Sequence, residues 1–391
     1  MNIGIFTDTY YPQVSGVATS IRTLSQELQK QGHQVYIFTT TDPNVDKEHE
    51  EKNIFRFASI PFVSFTDRRI AFRGYFQAYQ IAKDLDLDIV HTQTEFSMGL
   101  IGKSVAKHLE IPCVHTYHTM YEDYLHYIAK GKLLKSSHVQ MMTRTFCAHL
   151  NGVVAPSEKV VATLQRYGID IPMQIIPTGI NITKFQELQD WQGLREKYQI
   201  TPDQPVILTL SRLAYEKNIN KLISAFNKIQ KTIPEARLII VGDGPARDSL
   251  EEQVVDLELT DKVIFTGEIS NDEVAAYYQM ADLFASTSKS ESQGLTYIEA
   301  LAAGLYVLAT ESPYTNELLD DESLGAVFTD QADLIAKAKA YLQHPADYQN
   351  QKVRNEKLHL ISAEYFAEQV LAFYQASQDN FAKKEIENKT E

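Results

Sequence analysis

With 391 residues, 44% hydrophobic and 23% charged, the chain has the composition of a globular protein and exceeds one ordinary core, so two domains of roughly 150–200 residues each are expected. A net charge of −14 argues against nucleic acid as a partner, and two cysteines, Cys113 and Cys147, give neither a disulfide framework nor metal-ligand spacing. The N-terminus enters the strand-like Asn2–Thr7 with no basic and apolar leader, and no run of about 18 apolar residues occurs, so the expected compartment is the cytoplasm.

Short apolar runs alternate with helical stretches from end to end. Strands are predicted at Ile3–Thr7, Gln34–Thr40, Ile89–Thr92 and Val114–Thr116, then at Val206–Leu210, Arg237–Val241, Lys262–Thr266, Leu283–Ala285 and Val307–Thr310. The alternation predicts an α/β fold of two doubly wound, Rossmann-like domains facing a cleft, spanning 1–180 and 200–360. A hinge is expected near 178–205, and a helix over about 361–382 is expected to pack back on the first domain, ahead of a frayed tail, Lys383–Glu391.

In such sheets ligands sit beyond the carboxyl ends of the strands, so strand-end loops are the candidates for chemistry. The first strand runs into a loop ending at Gly16 and a helix over Ala18–Gln31; a glycine there lets backbone approach a phosphate or sugar, although a plain turn reads as well. Asp84, Asp86 and Asp88 have metal-like spacing but precede their strand, at the wrong end of the sheet, and no metal is expected there. His91 and His115 lie within strands and read as core, whereas His118 follows a strand in a polar and aromatic loop that also holds Tyr121, and suits contact with a sugar hydroxyl or reads equally as a histidine satisfied inside its loop. Arg212 and Lys217 follow Val206–Leu210 and can converge on a diphosphate. Gly242–Pro245 and Gly267–Ser270 close two further strands; the second can place backbone N–H and C=O groups beside a nucleotide base, although both also read as turns that any such sheet needs.

Glu291 and Glu299 then bracket a loop that turns at Gly294 into a helix. First-turn N–H groups of that helix suit a diphosphate, and the flanking carboxylates suit sugar hydroxyls. Charge is divided unequally along the chain. Residues 1–180 hold 17 basic and 17 acidic side chains, and 181–391 hold 20 and 34, so the first half can approach an anionic surface that the second avoids. Arg68, Arg69 and Arg73 form one basic group; Lys130, Lys132, Lys135 and Arg144 form another, in a window free of acidic residues. There Ile128–Leu150 reads as an amphipathic helix with Leu134, Val139, Met141, Met142 and Phe146 on one arc, either a membrane contact or a core helix.

Together the Gly16 loop, Thr116-x-His118, Arg212 with Lys217, Gly242-Asp-Gly-Pro and the Glu291/Glu299 pair resemble the retaining glycosyltransferases of GT-B architecture, of the glycosyltransferase family 4 type, over essentially the whole chain. The resemblance implies an acceptor-binding first domain and a nucleotide-sugar-binding second one. It places Gly16 at the donor phosphates, His118 by the donor sugar, Arg212 and Lys217 on the diphosphate, Glu291 on the sugar and Glu299 on the ribose. Leu295 and Thr296 would meet the phosphates through their backbone, and Ile269 the base. Many members carry Phe where this chain has Gln293, so an amide that binds a sugar hydroxyl is expected there.

Phe6–Ser20, Phe62–Arg69, His91–Phe96 and Glu291–Tyr297 look, more narrowly, like the Gram-positive diacylglycerol glucosyltransferases. That resemblance implies UDP-glucose as donor, 1,2-diacylglycerol as acceptor, no cofactor or metal, and a place on the inner face of the cell membrane. The basic residues and Tyr121 are then the expected acceptor and membrane contacts. A soluble sugar or hydroxy-acid acceptor, and a non-catalytic nucleotide-sugar-binding subunit, are the rival expectations.

Overall fold

The computed structural model describes residues 1–13, 15–46, 51–62, 65–71, 74–120, 122, 136–289, 291 and 293–390. The chain divides into two compact units: Met1–Gly179 with Ala363–Glu391, and Ile180–Ser362.

In the first unit a seven-stranded parallel sheet has the order β3-β2-β1-β6-β7-β8-β9. Its strands are β1 (Asn2–Phe6), β2 (Gln34–Thr40), β3 (Ile54–Phe57), β6 (Ile89–Thr92), β7 (Cys113–Thr116), β8 (Gly152–Ala155) and β9 (Met173–Ile175). An antiparallel hairpin of β4 (Ser59–Phe62) and β5 (Phe65–Ala71) stands outside it. The central strands are buried along almost their whole length, as parallel strands covered on both faces require, which is why they read as unbroken apolar runs. The helix Gly16–Lys30 buries Ala18, Ile21, Leu24, Ser25 and Leu28 on one stripe, and its N-cap Ser15 accepts the Ala18 N–H.

The C-terminal helix Ala363–Thr390 belongs to this unit. Phe366, Ala367, Val370, Phe373 and Tyr374 enter the same core as Ile3, Ile5 and Ile37. The Tyr374 hydroxyl lies 2.5 Å from His91 Nδ1, and His91 Nε2 lies 2.7 Å from Thr116 Oγ1, so this histidine is a fully buried core residue.

The second unit is a six-stranded parallel sheet of order β12-β11-β10-β13-β14-β15, from β10 (Val206–Leu210), β11 (Arg237–Val241), β12 (Val263–Gly267), β13 (Leu283–Ser286), β14 (Tyr306–Thr310) and β15 (Gly325–Phe328). Much of the stretch expected to be hinge is packed structure. Helices Ile182–Gln186 and Trp191–Lys197 bury Phe185 and Arg195, whose guanidinium donates to the Met280 and Gln204 carbonyls and pairs with Asp282 at 3.0 Å.

Of the expected amphipathic helix, residues 128–135 lie outside the described residues; the described part, Ser136–Cys147, buries Val139, Thr143, Phe146 and Cys147 in the first unit's core, while Met141 is exposed. Val139 and Phe146 are therefore core residues, and the proposed apolar arc is not one outward face; Leu134 lies outside the described residues. Among the described residues no helix is long and apolar enough to cross a membrane.

Candidate functional site

In the second unit the strand-end loops are stitched together at the carboxyl edge of the sheet. Arg212 follows β10 in a loop whose backbone is fixed by the next loop: Ser211 N–H donates to the Val241 carbonyl (3.1 Å) and Leu213 N–H to the Asp243 carbonyl (2.9 Å). Gly242 allows that approach. Its φ is +122°, and a Cβ there would stand 2.0 Å from the Ser211 carbonyl oxygen. Gly242 N–H in turn donates to the Gly267 carbonyl (2.9 Å), joining the third loop, which carries Ile269 against the core.

Lys217 ends a single turn, Tyr215–Lys217, followed by left-handed Asn218. The Thr287 hydroxyl, just beyond β13, donates to the carbonyls of Lys217 (3.2 Å) and Asn218 (2.9 Å). That bond brings the two loops to one place, and Lys217 Nζ lies 2.5 Å from Glu291 Oε1 with both side chains mostly covered. Arg212 remains exposed on the same loop system.

Gly294 has φ +74° and precedes the helix Leu295–Ala302, where a Cβ would strike the Tyr297 ring at 2.8 Å. The N–H groups of Leu295 and Thr296 thus fall in a first turn, where the helix itself supplies no acceptor. Glu299 is half-buried and accepts the Tyr278 hydroxyl on Oε2 at 2.8 Å. Burial pushes its carboxyl above the usual range, while the Tyr278 bond and the nearby Lys184 charge pull it down. Gln293 is buried and bonded to the Tyr314 hydroxyl, a partner that sequence reasoning did not supply.

In the first unit Gly16 is the exposed first residue of its helix. His118 follows β7, and its Nε2 lies 2.6 Å from Gln93 Oε1. Burial, with a smaller contribution from His115, lowers the His118 imidazole to about 3. His115 is fully buried against Glu95 at 3.2 Å, a core residue. The aspartates before β6 serve the fold: Asp88 accepts the Asn2 N–H and Asp84 the Gln80 amide. Arg69 is tied to Ser59 inside the hairpin, and Arg144 is exposed. Tyr121, Arg73, Lys130, Lys132, Lys135 and the Arg68 side chain lie outside the described residues.

A depressed histidine pKa fixes the sign of a pH effect. Between about 3 and 6.5 the unfolded chain binds a proton at His118 that the folded chain refuses, so acidification destabilises. Between pH 7 and 5 the wild type should lose about 1–2 kcal/mol more stability than His118→Asn, measured by denaturant unfolding at both pH values. Equal losses would show that the imidazole stays freely protonated in the fold.

The comparisons with known proteins agree with this layout. The model described as Glycosyltransferase Family 4 matches residues 14–184, and that described as Glycosyl transferases group 1 matches 192–358. The chain is 48% identical to the alpha-monoglucosyldiacylglycerol synthase of Streptococcus pneumoniae over 96% of its own length and 85% of that protein. It is 35% identical to the enzyme of the same name from Acholeplasma laidlawii, over 88% of this chain and 89% of that one. Among solved structures, Anabaena HepE in complex with UDP matches with a TM-score of 0.78 at 16% identity, covering 96% of this chain and all of that one. Sucrose-phosphate synthase from Thermosynechococcus elongatus matches at 0.77 and 22%, over 96% and 99%. These two likenesses establish the fold, and the near-full-length relatives establish the lineage: the chain belongs to glycosyltransferase family 4, the GT-B glycosyltransferases built from two Rossmann-like domains.

Proposed function

We propose that the chain transfers glucose from UDP-glucose to 1,2-diacylglycerol with retention, giving alpha-monoglucosyldiacylglycerol, and that it works as a peripheral protein on the inner face of the membrane. The observation that carries the donor half is the gathering of Lys217, Glu291 and the Gly294 helix start at the carboxyl edge of the second unit's sheet. The glucosyl group and lipid acceptor follow from the kinship with the two diacylglycerol enzymes.

In this reading Arg212, Lys217 and the N–H groups of Leu295 and Thr296 hold the diphosphate, and the backbone at Gly16 meets the phosphates. Glu291 and His118 contact the hexose, Glu299 the ribose and Ile269 the base. The chemistry is then mostly electrostatic. The sugar C1–O bond to the β-phosphate breaks, and a new C1–O bond forms to the glycerol hydroxyl on the same face. The departing phosphate takes the hydroxyl proton. The two cations and the helix start stabilise the UDP that leaves, so no metal is required in this scheme.

Incubation with UDP-glucose, UDP-galactose or UDP-N-acetylglucosamine and diacylglycerol vesicles, with products resolved by mass and anomeric configuration, tests the reading. An α-glucosyl lipid formed equally well in EDTA is expected. Transfer confined to a water-soluble acceptor would replace the lipid assignment, a β-linked product would remove retention, and UDP-glucose binding without transfer would leave a sensor rather than an enzyme.

A further inference from the structure

The roles above make no use of the buried amide of Gln93 in the first unit. Gln93 is the first residue after β6, and its N–H donates to the Phe6 carbonyl at the end of β1 (2.8 Å). The chain winds outward from β1 through β2 and β3 on one side and from β6 to β9 on the other, so Gln93 stands where the winding reverses. Open parallel sheets bind ligands beyond that point.

Gln93 is only 3% exposed. Its Oε1 accepts from His118 Nε2–H at 2.6 Å, while its amide nitrogen is enclosed without any partner among the described residues. An orphaned donor of this kind costs about 1–3 kcal/mol, and folded proteins keep few of them. The flanking backbone is held firmly. Asp8 N–H donates to Thr94 Oγ1 (2.9 Å), Thr94 donates back to Asp8 Oδ2 (2.6 Å), and Met98 N–H donates to Asp8 Oδ1 (3.0 Å). His118 is only part-buried, so the pair lies close to the surface at the strand ends.

We propose that Gln93 is a substrate-binding residue that also positions His118: its amide nitrogen donates to an alcohol oxygen of the substrate, while Oε1 holds the imidazole as the Nε2–H tautomer. The Nδ1 lone pair then remains an acceptor for a second hydroxyl. The alcohol belongs either to the hexose of the donor or to the glycerol of the acceptor. This rests on the glucosyl-transfer reading, and the test separates the two.

Gln93→Met removes both functions, and Gln93→Glu keeps the acceptor but lacks the donor. Nitrogen-15 spectra of the ring should show His118 as the Nε2–H tautomer in the wild type and in Q93E, and as a mixture in Q93M. That arm needs no activity, so a wild type without transfer would defeat the functional reading and leave it standing. With UDP-glucose and diacylglycerol vesicles, Q93M should lose kcat by roughly 10- to 100-fold. Q93E should raise KM by roughly ten-fold for one substrate. A shift in KM for UDP-glucose places the alcohol on the hexose, and one for diacylglycerol places it on the glycerol. Wild-type kinetics in Q93M, or lower thermal stability with unchanged kinetics per folded enzyme, would overturn the proposal, as would a His118 tautomer indifferent to Q93M.

Discussion

Lys217→Ala should lower kcat/KM for glucosyl transfer by about a thousand-fold while leaving a folded protein. The ammonium sits 2.5 Å from Glu291 Oε1 at the start of the loop that leads into the Gly294 helix, and in the proposed scheme it neutralises the departing diphosphate. Removing one donor from a preorganised anion site typically costs 10²–10³ in rate. Under the proposed roles the loss has a second part, because Glu291 would lose the partner it has in the wild type. Stability should change little. The pair is partly solvated, at 17% and 24% side-chain exposure, and such pairs are worth about 1 kcal/mol or less. Steady-state kinetics and a melting curve on the same preparation check both halves. Near-wild-type turnover in K217A would remove the lysine from the donor site. Lys217→Arg should recover part of the rate, since the charge returns with a different reach.

The parts of the fold that sequence pattern made legible are those governed by burial on both faces. β2, β6, β10 and β11 were expected with the bounds they have, because a covered parallel strand reads as an apolar run between polar turns. The short strands were not legible. β9 has three residues with a glutamine in the middle, β8 and β15 open on glycine, and β3 alternates Phe with Arg56. Their identity comes from the neighbour each pairs with, which no local window contains.

The site divides in the same way. The structure pairs Lys217 with Glu291 and starts a helix after Gly294; these residues and Glu299 stand out in the sequence as candidates because strand-end loops and glycine turns leave a local trace. Their supports left none: Tyr278 under Glu299, Tyr314 against Gln293 and Thr287 capping the Lys217 turn are contacts between segments far apart in sequence. Gln93 had a weak signal, its position directly after a predicted strand. The apolar arc over 128–150 stays open in the sequence between membrane contact and core helix, since helical spacing reports that a face is buried without saying what covers it; its described part, Ser136–Cys147, is a core helix.

Gly242→Ala should damage the second unit's stability and its chemistry together. The new Cβ would lie 2.0 Å from the Ser211 carbonyl oxygen, at a backbone φ of +122° that L residues rarely adopt. Neither side can yield cheaply. Ser211 N–H is bonded to Val241, Leu213 N–H to Asp243 and Gly242 N–H to Gly267, so relieving the contact breaks bonds among three strand-end loops. Backbone strain alone costs about 1–3 kcal/mol, and the lost bonds add about 1 kcal/mol each. For a unit of this size that corresponds to a fall of roughly 10 °C in its melting temperature. The loop that must move carries Arg212, and a shift of about 1 Å in a positioning group can cost on the order of a hundred-fold in rate. Arg212→Ala is the control, because an exposed arginine contributes charge to the site and little to packing. R212A should lose rate with an unchanged melting curve, whereas G242A should lose both in parallel. A G242A protein that melts like the wild type would mean that the Gly242–Pro245 turn does not hold the Arg212 loop in place.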